Sequence, residues 1–266
     1  MEKLKIALLS AFIGAPGKEE LKITQTCLEK MKGYGVDIFL YNGNNIDLLK
    51  EHVEPELVLR NEDIGKTSFF KSIKDYFRFY QSQYPSSEVT HNRLLAKIPK
   101  MQFYKLIGEG YDYYIWLDSK FTLLDSWMDY IFDLIEKNGD HALQVCYHSE
   151  RSNIREEYDY MRYHIKHKSE IVSSRYVLKD MYYQIQKYFS DPAFVDNKLF
   201  EAGFLLYSKK ILLHKDFLDE WYAHNYYYTI QDQLSLPYLL NKYNIDVCPL
   251  KQSVFDLPGT KYGYND

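Results

Sequence analysis

The sequence is poor in the features that define several protein classes. Its 266 residues include three cysteines, Cys27, Cys146 and Cys248, which lie far apart and form no C-x-x-C pair. This odd, scattered set argues against a disulfide framework or a zinc site and predicts reduced, buried thiols in a cytosolic protein. No apolar run approaches the roughly 18 residues needed to cross a bilayer, so a transmembrane segment is not predicted.

An excess of positive charge is also lacking. The 33 Lys and Arg residues are outnumbered by 37 Asp and Glu residues, which gives a net charge of -4. Because the cations are scattered among acids, nucleic-acid binding is the least favoured function. The charged share of 26% and the hydrophobic share of 46% argue against a disordered or collagen-like chain. With no internal repeat or linker, residues 1–266 are predicted to form one domain.

Aromatic residues are abundant: they make up 17% of the chain, and 27 tyrosines outnumber 12 glycines. Tyrosine combines a flat apolar face with a hydroxyl group, a surface suited to a sugar ring or a stacked base. An AT-rich genome, which raises the frequency of tyrosine and lysine together, explains the excess equally well.

Strand-like and helix-like segments alternate along the chain, which predicts an α/β fold with a mostly parallel sheet and helices on both faces. The N-terminal apolar run resembles a signal peptide, but Glu2 weakens its positive region, and a first strand is favoured. The predicted strands are 5–13, 36–41, 57–59, 111–118, 143–147, 200–207 and 245–248. The predicted helices are 18–32, 46–52, an aromatic helix around 69–80, 89–107 with an interruption at Pro99, 126–137, 209–224 and 230–242. Residues 152–190 are predicted to form a helical insertion beside the sheet.

The most informative segment is an apolar strand that ends in Asp118, followed by Ser119 and Lys120. Ligands of open parallel sheets bind beyond the carboxyl ends of the strands. Nucleotide-sugar transferases of the GT-A fold hold Mg²⁺ or Mn²⁺ with an Asp-x-Asp at such a strand end. Here Lys120 replaces the second acid, and its ammonium group could pair with a phosphate. A strand-terminal aspartate alone is also common in α/β proteins that have no such site.

Two later segments place acids where they could meet a substrate. Glu201 and Gly203 lie near the start of a strand, and a glycine there lets the backbone approach a ligand closely. Asp232 and Gln233 lie near the start of a helix, where they could orient or deprotonate a hydroxyl group. The alternatives are a salt bridge for Glu201 and stabilisation of the helix dipole for Asp232.

Cationic residues occur close to these segments. His148 and Arg151 follow a predicted strand, and this arginine could reach a phosphate or an acidic substrate group. Arg93 and Lys97 are one helical turn apart and face the same way, so they could meet a diphosphate. A solvated cationic helix face explains the second pair equally well.

In this order, these segments resemble the glycosyltransferase family related to the plant turgor-regulation-defect and mucilage-related proteins. The resemblance covers roughly residues 60–245. The family's Trp-x-Asp-x-Lys strand end is matched by residues 116–120, its His-x-x-Arg by His148 and Arg151, and its Arg-Asp-Gln-Leu-Ser-Phe-like string by residues 231–236. Gln231 stands where the family tends to have arginine. More distantly, residues 200–206 and 232–233 look like segments of retaining family-eight glycosyltransferases.

The resemblance implies a GT-A-like, Rossmann-type domain that moves a sugar from a nucleotide-diphosphate donor, a UDP-sugar first of all, to a glycan or lipid-linked acceptor. It implies Asp118 as the ligand of Mn²⁺ or Mg²⁺. The other two family-eight metal positions differ here, since Lys120 stands at one and the segment 257–261 lacks the histidine of the other. The location implied is cytoplasmic, or membrane-peripheral if the acceptor is lipid-linked.

The same resemblance assigns expected roles to individual residues. Ser10 and Phe12 would border the nucleotide, and Asn42 would offer amide contacts to its base. The predicted donor-binding residues are Ser10, Phe12, Asn42, Arg93, Lys97, Asp118, Ser119 and Lys120. The predicted catalytic residues are Asp232 and Glu201, and the predicted substrate-binding residues are His148, Arg151, Gly203 and Gln233. The insertion could form an acceptor wall or a solvated helical hairpin, and the hairpin is favoured.

Two other functions compete with transfer. A glycan-binding module could keep this fold without turnover, as the lysine at position 120 suggests. A lipid-amide hydrolase, an activity also proposed within the family, would need a nucleophile or a bound metal, and the sequence has neither a G-x-S-x-G nor an H-E-x-x-H motif.

Overall fold

The computed structural model describes residues 4–13, 21–55, 87–167 and 176–263, without the side chains of residues 87–91. The strands in this part of the chain are β1 (Ile6–Ala11), β2 (Lys22–Ile23), β3 (Val36–Tyr41), β4 (Tyr113–Leu117), β5 (Phe121–Leu123), β6 (Leu143–Tyr147), β7 (Phe200–Ser208), β8 (Val247–Leu250) and β9 (Thr260–Tyr262). The helices are α1 (Gln25–Tyr34), α2 (Asp47–Lys50), α3 (Ser87–Met101), α4 (Phe103–Ile107), α5 (Trp127–Asn138), α6 (Ile154–Lys166), α7 (Leu178–Ser190), α8 (Lys215–Tyr227) and α9 (Asp232–Lys242). Two 3₁₀ helices span Lys209–His214 and Val254–Asp256.

The central sheet has the strand order β3-β1-β4-β7-β6-β8. Of these six strands, only β7 runs against its neighbours, and the other five point the same way. The predicted α/β class with a mostly parallel sheet is therefore confirmed. Because β7 is reversed, its first residues lie at the edge where β4 and β6 end. This reversal brings three predicted site segments to one edge of the sheet: the segment after β4, the segment after β6 and the start of β7.

Both faces of the sheet are covered by helices, as predicted. Successive side chains of a strand point to opposite faces, so β1 sends Ala7 and Leu9 to one side and Ile6 and Leu8 to the other. The first side packs against buried residues of α3, α4 and α6–α9, and the second against α1 and α5. The site edge is thus built on a rigid, two-sided core.

A small second sheet was not predicted. It has the order β2-β5-β9 and joins a segment before α1, the segment after Asp118 and a C-terminal segment. Strands this short carry too little periodicity to be recognised in sequence. The predicted helix 18–32 is wrong at its start, because Lys22–Ile23 form β2 and the Thr24 side chain caps the helix by accepting from the Cys27 backbone N–H. The helix ends at Gly35, whose φ of 73° suits glycine.

The predicted insertion contains α6 and α7, and both pack against α9. Ile154, Met161 and Ile165 of α6 and Met181 and Ile185 of α7 belong to the larger core cluster. Each helix therefore has one buried face, while its other face is largely exposed in α6 and largely half-buried in α7. The predicted strand 57–59 and the predicted aromatic helix around 69–80 lie outside the described residues. In the part of the chain that is described, no helix is both long enough and apolar enough to cross a membrane.

Candidate active site

A cleft of about 820 Å³ opens at the carboxyl edge of the central sheet. Its walls come from the ends of β1 and β4, the start of β7, helix α3, the loop after β6 and the start of α9. Twelve of the fourteen predicted site residues line it: Phe12, Arg93, Lys97, Asp118, Ser119, Lys120, His148, Arg151, Glu201, Gly203, Asp232 and Gln233. Ser10 and Asn42 do not. The sequence segments therefore converge on one place.

Asp118 lies at the floor of the cleft, directly after β4. Its backbone N–H donates to the carbonyl oxygen of Gly203 at 2.8 Å, and its Oδ1 accepts from the Trp116 indole N–H at 3.0 Å. A Cβ atom added to Gly203 would lie 3.4 Å from Asp118 Oδ2 and 3.2 Å from a methyl group of Val254. The glycine therefore leaves room beside the carboxylate, although a methyl group there would be a tight fit.

Glu201 is held by neutral donors and is only 3% exposed. One carboxylate oxygen accepts from the backbone N–H and the hydroxyl of Ser149, at 3.0 and 2.8 Å. The other accepts from the Ser253 hydroxyl at 2.9 Å and the Val254 N–H at 2.6 Å. These four hydrogen bonds join β7 to the loop after β6 and to the C-terminal 3₁₀ helix. They occupy the carboxylate's acceptor sites and leave it poorly suited to accept a proton from a substrate.

Asp232 is held by two lysines of α3. Its Oδ2 accepts from Lys97 Nζ at 2.6 Å and also from Lys100 Nζ. Lys100 is 3% exposed and lies 5.6 Å from the centre of the Trp116 ring. Two ammonium groups and one carboxylate leave this wall of the cleft with an excess of positive charge. Oδ1 of Asp232 has no hydrogen-bond partner among the described residues, so it remains an acceptor.

The ion pairs set the protonation states of this wall. Burial alone would raise the pKa of Asp232, but the ammonium groups of Lys100 and Lys97 outweigh it and hold that pKa well below its usual value. Burial lowers the pKa of Lys97 to about 8, against the opposing effect of Asp232. A general base works best with a pKa near the working pH, so Asp232 is suited to accept a hydrogen bond and not a proton.

A third polar cluster forms the opposite rim. The His148 Nδ1 accepts from the backbone N–H groups of Glu150 and Arg151, at 3.1 and 3.2 Å. Burial, together with the nearby Arg151, lowers the pKa of His148. Arg151 pairs with the buried Glu157, which also accepts from Gln231 at 2.7 Å. Gln231 thus contacts the Glu157 carboxylate with an uncharged amide, at the position where the resemblance leads one to expect a charged arginine.

The remaining predicted residues differ in their placement. Lys120 lines the cleft, and within the described residues its ammonium group has no hydrogen-bond or ion-pair partner. Ser10 is buried in β1, and its hydroxyl has no partner in the described structure. The side chain of Asn42 accepts from the Asn44 backbone N–H, which makes it part of the turn after β3.

The acids of the cleft make a poor resident metal site. Asp118 offers one carboxylate, while Glu201 and Asp232 are engaged by protein donors. In the described part of the chain no three His, Cys, Asp or Glu side chains gather in a way that could hold a metal ion. A divalent ion here would need Asp118 plus phosphate oxygens and water, an arrangement that Mg²⁺ accepts in other proteins.

Sequence reasoning missed Lys100, Glu157 and the two serines that hold Glu201. Lys100 follows Lys97 at helical spacing, which is the one local signal for it. Glu157 follows Glu156 in a polar helix, and such a pair of acids gives no local signal for a buried partner of Arg151. Ser149 and Ser253 lie about 52 residues from Glu201 in sequence, on either side, and no pattern connects them.

The sequence matches a family described as TOD1/MUCI70, glycosyltransferase-like domain, over residues 84–257, which is more than half of the chain. None of the curated protein sequences matches it. The predicted family resemblance is confirmed by the match, although its bounds differ from the predicted 60–245.

Solved glycosyltransferase structures show distant similarity. Mouse xyloside xylosyltransferase 1, in its apo form, has 10% identity and a TM-score of 0.44, with 93% of this chain and 85% of that chain covered. The WbbM bifunctional glycosyltransferase, also apo, has 12% identity and a TM-score of 0.43, with 94% and 39% covered. Core-mannan synthase A from Aspergillus fumigatus, in a Mn/GDP form, has 12% identity and a TM-score of 0.42, with 92% and 72% covered.

Proposed function

The chain belongs to the TOD1/MUCI70 glycosyltransferase-like family, and we propose that it transfers a sugar from a nucleotide-diphosphate donor to a glycan or lipid-linked acceptor. The observation that carries the proposal is the set of cations that lines the cleft with Asp118 and outnumbers the four carboxylates there, those of Asp118, Glu150, Glu201 and Asp232. Five side chains with a positive charge line one cleft at the carboxyl edge of the sheet: Arg93, Lys97, Lys100, Lys120 and Arg151. A diphosphate is the anion that such a cluster suits, and the sheet edge is where α/β folds bind nucleotides.

The donor diphosphate is proposed to lie between α3 and the loop after β4. Lys97 and Lys100 would contact it from one side and Lys120 from the other. These fixed charges would stabilise the negative charge that grows on the leaving diphosphate as the glycosidic bond breaks. A UDP-sugar is the first donor to test. Phe12, at the end of β1, lines the same cleft and would border the nucleoside.

The two predicted catalytic acids receive different proposed roles. Asp232 would use its unpartnered Oδ1 to accept a hydrogen bond from a sugar hydroxyl and so orient it. Glu201 would act as a positioning residue, because its four hydrogen bonds fix the segments on either side of Asp118 and Gly203. His148, Arg151 and Gln233 would contact the acceptor side.

Calorimetric titration of UDP, GDP and their sugars tests this proposal, first with EDTA and then with Mn²⁺. We expect micromolar to millimolar binding of one nucleotide in EDTA, because the lysines supply positive charge without a metal. Lys120→Ala should weaken it about tenfold, the loss of roughly 1.4 kcal/mol, with little change in stability. Lys210→Ala is the matched control, since this lysine is exposed and binds Asp140 far from the cleft.

Failure of every nucleotide to bind, with or without Mn²⁺, would contradict the proposal. Binding of glycans without nucleotides would favour the non-catalytic module. Binding that requires Mn²⁺ and is lost in Asp118→Asn would assign the metal to Asp118 and a shared diphosphate.

A further inference from the structure

Helix α6 carries two aromatic or apolar stripes on different sides. Ile154, Tyr158, Met161 and Ile165 form the buried stripe. The second stripe consists of Tyr160, Tyr163 and His164 of α6 and of His167 directly after it, at the same i, i+3, i+4, i+7 spacing that normally marks a core face. Yet Tyr160 is 39% exposed, Tyr163 is 58% exposed, His167 is exposed as well, and His164 is half-buried. Packing against the core of the described residues does not explain this second stripe.

The four rings of the exposed stripe are in contact with one another. The ring centres of Tyr160 and His164 are 4.3 Å apart, and those of Tyr163 and His167 are 4.0 Å apart. Tyr163 and His164 are 5.4 Å apart. The His167 Nδ1 also lies 2.8 Å from the Tyr163 carbonyl oxygen, which holds the last ring in place. Aromatic side chains that are already fixed lose little entropy when a ligand covers them.

The stripe is continuous with the cleft. The guanidinium carbon of Arg151 lies 4.0 Å from the centre of the Tyr160 ring, and Arg151 lines the cleft. From residue 160 to residue 167 the stripe runs about 10 Å along the helix axis, at roughly 1.5 Å a residue. A chain-like ligand that enters the cleft near Arg151 would therefore meet a series of aromatic rings outside it, each with part of its surface uncovered.

The chemistry of this helix face fits one kind of occupant. The other exposed residues of α6 are charged: Arg155, Glu156, Asp159, Arg162 and Lys166. No large aliphatic side chain is exposed on α6, which disfavours insertion into a membrane surface. Tyrosine and histidine rings with polar edges suit a ligand that has apolar C–H faces and many hydroxyl groups, which describes an oligosaccharide.

We propose that the exposed stripe of α6, formed by Tyr160, Tyr163, His164 and His167, is a platform that binds the distal sugars of an oligosaccharide acceptor. This inference rests on the proposed function for the identity of the cleft, and it narrows the acceptor to a glycan with more than one sugar ring. Sugars beyond the reacting residue stack on the rings, while the reacting end lies in the cleft beside Asp118. Longer acceptors bind more tightly than short ones because they cover more of the platform.

The test uses the variant Tyr163→Ala/His167→Ala, which shortens the platform without touching Arg151. Tyr34→Ala is the matched control, because Tyr34 is also an exposed helical tyrosine, is 43% exposed, and contacts one aromatic ring on the other side of the sheet. Neutral gluco-, xylo- and manno-oligosaccharides and oligogalacturonides, from disaccharide to hexasaccharide, are titrated without a donor by calorimetry and saturation-transfer NMR. Thermal unfolding checks that both variants fold.

For the wild type and Tyr34→Ala, we expect one series to bind more tightly as it lengthens. In the double variant the hexasaccharide should bind about tenfold more weakly and the disaccharide almost unchanged, so that the length dependence disappears. Equal hexasaccharide affinity in the double variant and the wild type would overturn the platform. So would the absence of oligosaccharide binding to the wild type.

Two added measurements separate this inference from the proposed function and from other occupants. UDP is titrated into the same samples. Length-dependent glycan binding by a protein that binds no nucleotide would refute the transferase and support the platform. Nucleotide binding without length-dependent glycan binding would support the transferase and refute the platform. Light scattering and sedimentation with anionic phosphatidylserine vesicles follow self-association and membrane binding. Loss of either in the double variant, with glycan binding unchanged, would assign the stripe to that partner and overturn the proposal.

Discussion

The two walls of the cleft each contain a buried carboxylate, but they hold it by opposite means. On the β7 wall, Glu201 accepts four hydrogen bonds from neutral hydroxyl and backbone groups. On the α3 wall, Asp232 accepts from two ammonium groups. In the sequence both residues are simply acids near the start of a strand or helix. Because their partners differ, they have different effects on the electrostatic field inside the cleft.

This difference in charge indicates which wall of the cleft an anion would bind. Neutral donors stabilise the charge of Glu201 without cancelling it, so the β7 wall keeps a net negative charge. The α3 wall has two positive charges for one negative charge, so its net charge is positive. In the proposed donor the diphosphate lies between a nucleoside and a sugar that are both uncharged, so this central group would be drawn toward α3. Three variants can break or sharpen this comparison.

Asp232→Asn should produce the largest effect. Removing one partner of a buried ion pair leaves uncompensated charge, here the ammonium groups of Lys100 and Lys97, and costs about 3–5 kcal/mol of unfolding free energy. Urea denaturation measures it. Asp118→Asn serves as the control, because its carboxylate accepts from the Trp116 indole and forms no ion pair among the described residues, so its loss should cost only about 1 kcal/mol. The double variant Lys100→Met/Asp232→Asn should recover part of the loss.

If Asp232→Asn unfolds with the stability of the wild type, the two walls do not differ in the way described. The expected result also has a practical meaning for activity assays. A transferase assay of an Asp232 variant reports on catalysis only after its folding has been checked.

Glu201→Gln should have a smaller effect, of about 1–3 kcal/mol. The amide nitrogen replaces one oxygen and then faces donors, so at least one buried N–H or O–H loses its acceptor. Urea denaturation measures the change, and nucleotide titration should show that binding survives. Glu150→Gln is the matched control, since Glu150 is exposed and its bond to Arg151 lies at the surface. Equal effects of the two substitutions would show that the four hydrogen bonds contribute little.

The smallest predicted effect is a pH dependence that comes from Lys97. Its pKa of about 8 in the folded protein is below the ordinary 10.5. Above pH 8 the folded protein loses this proton while the unfolded chain keeps it, so the contribution of Lys97 to stability rises from pH 8 to about 10.5. UDP affinity changes in the other direction, because the neutral amine attracts the diphosphate less. We expect roughly a tenfold loss of affinity between pH 7 and 9.5.

Lys97→Arg keeps its charge throughout this range and should bind UDP with little dependence on pH. Calorimetric titration of both proteins at matched ionic strength measures the difference. An equal pH dependence in wild type and Lys97→Arg would place the titrating group elsewhere.

The sequence was sufficient to predict the frame and the edge of the sheet at which most of the candidate residues meet. The bounds of β3 and β6 agree with the predicted 36–41 and 143–147, because both strands are apolar runs limited by turn residues. Asp118 could be placed at the sheet edge because its strand is apolar on both faces and ends abruptly. These are local properties, and local periodicity reveals them.

The charge pairing of the site was beyond such reasoning. Lys97 and Asp232 are 135 residues apart, and nothing near either residue indicates the other. The same holds for Glu201, whose donors come from two distant loops. An acid in a promising position can be recognised from sequence, but whether it is free, hydrogen-bonded or paired depends on the packing of several elements. The role of a site acid is therefore a tertiary property.

The small β2-β5-β9 sheet has a consequence for how fragments of this protein are designed. The segment that bears Lys120 leads directly into β5, which pairs with β2 on one side and with the C-terminal β9 on the other. Just after β9, the Gly263 N–H donates to the Lys120 carbonyl oxygen at 3.1 Å. The family match stops at residue 257, before β9 begins. An expression fragment trimmed to that boundary would lack β9 and its pairing with β5, which holds the Lys120 segment in place. A tag fused directly after residue 263 would lie beside the same segment. Trimming at the homology boundary would therefore alter the side of the cleft that bears Lys120 while leaving the central sheet complete.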